Sequence, residues 1–553
     1  MDQKSNNAKV KEHNRKAQNI SAYSAYMLFA IIAVVLAKVI GFVREIMITH
    51  RFGYGNVTDG YYLGFAVPDL VYNILVGGAI GAAVVPMLSG AIERDEEDKV
   101  WPSISTFFTF IMILFAGFML VGELFSEEII SFLNPGQNME VLGIATSVSR
   151  VVYLQTFFFI LLAIITSTLS ANKVYGLPAL GDSVYNIFYL LAIIFFASPT
   201  KEGAVNVAWG VVFAAVMYFL YIFYFAKPYM VKYRPNLNVK DRKFWYLLWL
   251  AVPALLSGTV AQLNTIVQQS FAGLAQQNIP NASTGVVTSL RNANTLFNLP
   301  YQVIVSSIGS FLLSNISGFM ARGADKEASN FLTKTVKLVL VIMVPVALFF
   351  AVFSEETVQA VYQWNPATYT NENVKVTAAI LRIYSINFIV GPFLYFINQV
   401  FFALQKNYII LITTTINLLT NYLFCFVFIN GFSLGIDGLA WATVLSQILV
   451  TIISYIILSM MKNKIEVESM NSFAWKSIVA SLFTFSILVL MHTVSPIYSS
   501  KIKQLVLYVI NGLIAMGAYF TASHLLEVHE VTWIFRMIKS LFKKVKNKLR
   551  LGK

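Results

Sequence analysis

The chain has one cysteine, Cys425, and only 12% charged residues among its 553. A single cysteine excludes a disulfide framework and a Cys/His metal cluster. Soluble domains carry about 25% charged residues, so the scarcity of charge argues against a soluble surface. The five histidines, His13, His50, His492, His524 and His529, are scattered. There is no HExxH, no GxSxG and no Walker loop to support hydrolysis or nucleotide chemistry. No compact set of carboxylates falls on one expected helix face, and the loops are too short for a soluble catalytic domain. Neither an enzyme nor an ATP-hydrolysing pump is called for. The first 20 residues are polar and mostly basic (Lys4, Lys9, Lys11, Arg15, Lys16). No A-x-A-type site follows the first apolar stretch, so a cleaved signal peptide is not expected.

What is abundant is apolar side chain. The chain is 57% hydrophobic, with a mean hydropathy of +0.67. Apolar stretches of about 20 residues recur along nearly its whole length. Only helices and closed barrels satisfy their backbone in lipid, and the short alternating strands of a barrel are missing. The expected fold is therefore an all-α polytopic membrane protein with about fourteen transmembrane helices. Their limits are 24–49, 60–91, 101–125, 141–171, 178–198, 204–226, 244–273, 283–319, 331–353, 376–404, 408–430, 438–461, 473–493 and 504–526. Pro68 and Pro300 are expected to kink the second and eighth of these.

The net charge of +13 is a matter of topology rather than of nucleic acid. Lys and Arg collect in 227–243, 461–464 and 539–550, and are sparse in 122–141 and 353–374. The positive-inside rule then puts both termini in the cytoplasm. From about Thr532 onward, Ile534, Met537, Ile538, Leu541, Val545 and Leu549 fall at helical spacing among lysines. That pattern reads either as a basic amphipathic helix on the anionic inner leaflet or as a solvated basic tail.

An internal repeat divides the chain. Ile80-Gly81, Ser89-Gly90 and Arg94 recur as Ile308-Gly309, Ser317-Gly318 and Arg322. Arg150 recurs as Arg382, Asn186 as Asn417, and Ala208-Trp209 as Ala440-Trp441, all at a near-constant offset of about 230 residues. The expected organisation is a basic tail (1–22), an N-lobe of six spans (23–227), a basic cytoplasmic linker (228–243), a C-lobe of six spans (244–462), two further spans (463–530) and a basic tail (531–553). Two repeats of even span number share one orientation, with a site expected between them.

Cations inside the spans are the chemical signal. Lys38 and Arg44 lie in AKVIGFVREIMI, and Arg291 in VVTSLRNANTLFNLP. A charge at the bilayer centre costs at least about 2.5–3.5 kcal/mol, so such groups face a watery cavity or an anionic partner. Arg44 precedes Glu45, and the two read either as part of an anion site or as an interface pair snorkelling to headgroups. Arg150 and Arg382 read as structural anchors. Asp69, Asp182 and Lys337 also fall in or near spans, with roles left open. Asn264, Asn417, Asn421 and Thr443 are neutral oxygen donors in the second lobe. They read either as part of a Na⁺ site or as interhelical hydrogen bonds. Arginine offers a planar fork matched to phosphate and lysine a point charge, so a lipid-linked diphosphate suits a cationic membrane site.

The stretch 35–90 carries a family resemblance. Lys38, Gly41-Phe42, Arg44-Glu45, Phe52-Gly53 and Thr58-Asp59-Gly60-Tyr61 closely resemble the N-terminal signature of the MviN/MurJ family. That family comprises the lipid II flippases of the multidrug/oligosaccharidyl-lipid/polysaccharide exporter superfamily. The resemblance implies two six-helix lobes around a cationic cavity and two C-terminal helices that form a groove for the polyprenyl tail. It implies a head-group site at Lys38, Arg44, Glu45, Asp59 and Arg291. Two departures stand out. Tyr72-Asn73 replaces a family basic pair, and Thr295 stands where the family places an arginine, with Arg291 one turn earlier.

The resemblance implies a bacterial plasma-membrane flippase for lipid II that works by alternating access, without a cofactor. It would be driven by Na⁺ or by the membrane potential. Its expected partners are a lipid-linked oligosaccharide, membrane lipids and the cell-wall synthesis machinery, with no nucleic acid. The competing readings are a flippase for another undecaprenyl-linked glycan, a multidrug/cation antiporter with an acidic cavity, a membrane glycosyltransferase with an outward-facing carboxylate, and a membrane scaffold.

Overall fold

The computed structural model describes residues 32–76, 79–174, 176–277, 285–461, 470–494 and 501–532. The basic tail expected over 1–22, and all but the first two residues of that expected over 531–553, lie outside them. The described residues form helices joined by turns, without strands, so the fold is an all-α membrane protein. Among the described residues, ten helices are long and apolar enough to cross a bilayer. The pair Asn371–Tyr384 and Asn387–Ala403, bent by 46°, makes an eleventh if it is one span. That count stands beside the roughly fourteen expected spans. The three expected stretches outside it are also helical. The first is the helix 32–52, with the earlier part of the expected stretch outside the described residues. The second is the series Asn56–Gly64, Ala66–Val76 and Ala79–Ile92. The third is Arg242–Gln277, whose second half carries Gln262, Asn264, Gln268 and Gln269.

Proline acts differently at its two expected kinks. Pro68 does not bend a continuous span. It sits in the first turn of the separate helix Ala66–Val76, where a missing N–H costs nothing. Pro300 lies at the end of Val286–Tyr301 and is followed by a π-helical turn, Gln302–Ser306. There the hydrogen-bond register shifts before the helix resumes at Ser307.

The repeat is visible in backbone geometry. The left-handed residues Asp95 and Lys173 have counterparts in Gly323 and Gln405. Each ends a helix with the same bond, from the next N–H to a carbonyl five residues back: Glu96 to Ala91, Ala324 to Phe319, Val174 to Leu169 and Lys406 to Phe401. This is the Schellman closure, which satisfies the last free carbonyls of a helix. A further match escaped the sequence reading. Phe125-Ser126-Glu127-Glu128 recurs as Phe353-Ser354-Glu355-Glu356 and opens the short helices Ser126–Leu133 and Ser354–Tyr362. Both serines are fully buried. Arg382 pairs with Glu355 at 3.6 Å, and Arg150 acts on Glu123 electrostatically.

The described residues divide between two compact units. One contains Met1–Phe52, Gly60–Phe132 and Met139–Gln262, the other Gly53–Asp59, Leu133–Asn138 and Leu263–Lys553. The first is built around Trp101, Phe107, Phe108, Phe115 and Phe244. Its linker residues lie along the helix Glu97–Leu124: Ser103 donates to Asp241, and Lys232 pairs with Glu97 at 3.0 Å and with Asp98 at 3.1 Å. The second unit is built around Phe388, Phe396, Phe401 and Tyr519. Its last two helices, Asn471–Val494 and Lys501–Leu525, pack on Asp325–Val352 through Phe349, Leu488 and Ala515. Two short segments from the first half of the chain also belong here. Tyr54 N–H donates to Thr368 O at 3.0 Å, and Gln277 to Gly136 O at 3.1 Å.

Gly323 has φ +67 with open space around a Cβ, and Gly318 lies mid-helix with nothing within 4 Å. Gly323→Ala is therefore expected to destabilise by about 1 kcal/mol through backbone strain alone. Gly318→Ala is expected to stabilise by about 0.5–1 kcal/mol. Thermal denaturation in detergent checks this: midpoints that move in the same direction contradict the assignment of the left-handed turn.

Candidate functional site

In the first unit the helix 32–52 meets Gly176–Phe196. Asp182, Asn186 and Tyr189 recur on the latter at a spacing that puts them on one face. Arg44 is held from three sides. Its Nη1 donates to Asn186 Oδ1 at 2.8 Å, its Nη2 to Glu45 Oε1 at 2.6 Å, and its guanidinium lies 4.6 Å from the centre of the Tyr189 ring. Tyr62 OH donates to the other Glu45 oxygen at 3.5 Å. The side chains of Arg44 and Glu45 are only 17% and 11% exposed. A snorkelling pair would reach toward headgroups, whereas this one is enclosed by protein. Lys38, a turn and a half earlier, is exposed. Asn186 Nδ2 reaches the Ala37 carbonyl at 3.4 Å, which brings this face alongside Lys38.

Asp59 belongs to the second unit, and its carboxylate is already engaged. Oδ1 accepts from Thr288 N at 2.7 Å and from Thr288 Oγ1 at 2.5 Å, and Oδ2 accepts from Gly285 N at 3.1 Å. The helix Val286–Tyr301 has Gly285 at its N-cap and no side-chain cap of its own. Asp59 fills that role from more than 200 residues away, adding an anion where the helix dipole favours one. Glycine is needed at 285: φ is +108, and a Cβ would come within 2.3 Å of the Tyr54 ring. Tyr54 OH lies 2.6 Å from Ser289 Oγ, which accepts from Thr377 Oγ1 at 3.1 Å. Arg291 stands one turn further along this helix and is exposed, while Thr295 donates back to the Arg291 carbonyl at 2.9 Å. The structure thus joins Arg44 with Glu45 and sets Asp59 one turn before Arg291 on a shared helix end.

At the position of the missing family cations, Asn73 donates to Gln262 at 3.3 Å, and Tyr72 packs at a tilt on Phe159, 5.4 Å between ring centres.

The amide set is hydrogen-bonded from helix to helix. Asn264 donates to Asn417 Oδ1 at 3.0 Å, and Asn421 donates to Asn264 Oδ1 at 2.6 Å. Thr443 accepts from Gln268 at 2.5 Å, a partner the sequence reading passed over. A resident hard cation wants several oxygens turned toward it, with negative charge among them. Here Asn264 and Asn417 oxygens are taken by amide N–H groups, and no carboxylate joins them. No group of three His, Cys, Asp or Glu capable of holding a metal occurs among the described residues. These side chains are hydrogen-bonded between helices, Asn264 joining Arg242–Gln277 to Asn407–Phe426.

A pocket of about 600 Å³ opens between the start of Glu97–Leu124 and the linker, beside Trp101, Ser105, Lys232 and Arg234. Its cations are occupied: Lys232 by Glu97 and Asp98, and Arg234 by the carbonyls of Val231 and Tyr233.

A family model described as "Lipid II flippase MurJ" matches residues 48–510. A "Probable lipid II flippase MurJ" of Buchnera aphidicola subsp. Schizaphis graminum is 22% identical over 381 residues, covering 68% of this chain and 72% of that protein. The "Lipid II flippase MurJ" of Burkholderia cenocepacia is 23% identical over 360 residues, covering 64% and 68%. A relative from Bdellovibrio bacteriovorus is 21% identical over 512 residues, covering 90% and 94%. Among solved structures, "Lipid II flippase MurJ, inward closed conformation" aligns with a TM-score of 0.73 at 20% identity, over 91% of this chain and 99% of that one. An inward-facing MATE family multidrug transporter of the MOP superfamily aligns with a TM-score of 0.64 at 14% identity, over 84% and 100%. At these identities the structural likenesses show the fold alone.

Asp59→Asn removes the charge and keeps the shape. Charge-assisted bonds are worth about 1.5–3 kcal/mol each, so hydrogen exchange in the peptide around 285–290 is expected to accelerate about tenfold or more. Unchanged exchange in the folded variant would show that Asp59 does not hold this turn.

Proposed function

Because the chain belongs to the lipid II flippase MurJ family, we propose that it carries lipid II from the cytoplasmic to the outer leaflet by alternating access. The observation that carries this reading is the exposed Lys38 on a membrane helix whose acid, Glu45, is engaged elsewhere. Glu45 is tied to Arg44 and Asp59 to the 285–288 turn. A cation held in a span at a cost of several kcal/mol invites an anion of matching charge, and the diphosphate of a lipid-linked sugar supplies one. Lys38 in the first unit, and Arg291 in the second, are each proposed as a ligand of its oxygens. Arg44, already oriented by Glu45, Asn186 and Tyr189, presents its remaining donors in fixed geometry. The polyprenyl tail stays in lipid beside Asn471–Val494 and Lys501–Leu525. No covalent bond is made or broken.

The protein resides in the bacterial plasma membrane with both termini in the cytoplasm, where it hands its cargo on to cell-wall synthesis. The inside-negative potential returns the unloaded cations inward, at about 2.3 kcal/mol per charge per 100 mV. Neither the drug/cation antiporter nor the glycosyltransferase finds an unengaged carboxylate at Glu45 or Asp59.

Reconstitution with labelled lipid II, read by accessibility at the outer leaflet, tests this function. Lys38→Ala and Arg291→Ala are expected to slow translocation about tenfold or more. Wild-type rates in these variants and in Arg44→Ala, each shown to be folded, would overturn the cationic mechanism. A wild-type protein that moves a different undecaprenyl-linked glycan but not lipid II would reassign the cargo. For the driving force, replacing Na⁺ by K⁺ is expected to leave the rate unchanged, whereas collapsing the membrane potential slows it. A rate that follows Na⁺ instead would refute the potential as driver.

A further inference from the structure

Asp182 is an acid within an apolar helix that the head-group site does not use. It lies on Gly176–Phe196, one turn before Asn186. Asn186 Nδ2 donates to the Asp182 carbonyl at 2.9 Å and to the Ala37 carbonyl at 3.4 Å. A Cβ at Gly41 would touch the same Asn186 amide at 3.5 Å. These contacts fix the register of the two helices and put Asp182 one turn from the amide that reaches Ala37, the neighbour of Lys38 in the chain. The charges of Asp182 and Lys38 act on one another, and both residues are exposed.

The carboxylate is also aimed. Tyr218 OH donates to Asp182 Oδ1 at 3.0 Å and lies 3.3 Å from the Pro178 carbonyl. That reach exists because residue 181 is glycine. A Cβ there would come within 2.0 Å of the Tyr218 ring. Helix packing, a glycine and a tyrosine together orient one acid toward the neighbourhood of one cation. Tyr72 and Arg44 complete the surroundings: Tyr72 lies within electrostatic reach of Asp182 and Asp69, and Arg44 is held by Glu45.

We propose that Asp182 is a positioning residue, the resident counter-charge of Lys38, which holds the ammonium in the empty transporter and yields it to an arriving diphosphate. This rests on Lys38 being a head-group cation. Two consequences follow from exchanging one anion for another. A cation with a resident counter-charge costs less to keep in the membrane between cycles. The same counter-charge competes with the ligand, so it weakens binding and speeds release.

The test uses the full-length protein in detergent, with undecaprenyl diphosphate as the binding probe and the reconstituted translocation assay as the second readout. Asp182→Asn is expected to bind the probe about tenfold more tightly and to translocate about tenfold more slowly at saturating substrate. Asp182→Glu should restore both values. In a Lys38→Gln background, Asp182→Asn should no longer tighten binding. A purely structural role would instead weaken binding and turnover together, in either background. Tyr218→Phe keeps the ring against Gly181 and removes its bond to Asp182, so it should tighten binding by a smaller factor. Equal or weaker binding in folded Asp182→Asn overturns the proposal, as does weaker binding in Tyr218→Phe should Asp182→Asn not fold. A wild-type protein that neither binds the probe nor moves lipid II refutes the flippase reading itself, and this proposal falls with it.

Discussion

Hydrocarbon offers no water to a charge or to a free backbone group, and the rest of this structure is arranged around that constraint. Three ionised side chains placed within the helices have been given company. Arg44 has Glu45, Asn186 and the face of Tyr189. Asp59 has two backbone N–H groups and a hydroxyl. Asp182 has a phenol and a nearby ammonium. The backbone obeys the same rule. Several helices end in closures that use up their last carbonyls, and the start at Val286, which has no side-chain cap of its own, is capped by Asp59 from elsewhere in the chain.

The paired charges differ in what they leave over. Arg44 is close to neutral as a unit, because its acid lies within hydrogen-bond distance and both are enclosed. Lys38 and Arg291 keep their side chains accessible. Arg44 is thus a rigid, oriented fork of donors. In the second unit the corresponding polar ground is neutral. Asn264, Asn417 and Asn421 bond to each other, which fastens Arg242–Gln277 to Asn407–Phe426 without involving charge.

Much of the architecture was legible in the sequence, because hydropathy marks helices whose faces all meet lipid or protein. The break after Gly64 was not, since the run from 60 to 91 is apolar throughout and only Pro68 hints at a second helix start. The repeat could be read from scattered identities, yet its clearest instance, Phe-Ser-Glu-Glu at 125 and 353, went unnoticed among ordinary loop residues. For the site, the intramembrane cations could be read one at a time. Their partners could not. Nothing local in Thr58-Asp59-Gly60 points to Gly285, and Asp182 looks like any stray acid until Asn186, Gly41 and Ala37 fix the register of two helices. Charge in a span announces itself, but the group that answers it comes from another part of the chain.

The bond between Asp59 and Gly285 spans 226 residues. Synthesis proceeds from the N-terminus at about 5–20 residues per second, so roughly 10–45 s separate the two ends of that bond on the ribosome. Throughout that interval the Asp59 carboxylate exists without the turn that is to receive it. Until then water is the partner that satisfies it at least cost. The second unit is completed by residues made long before the rest of it.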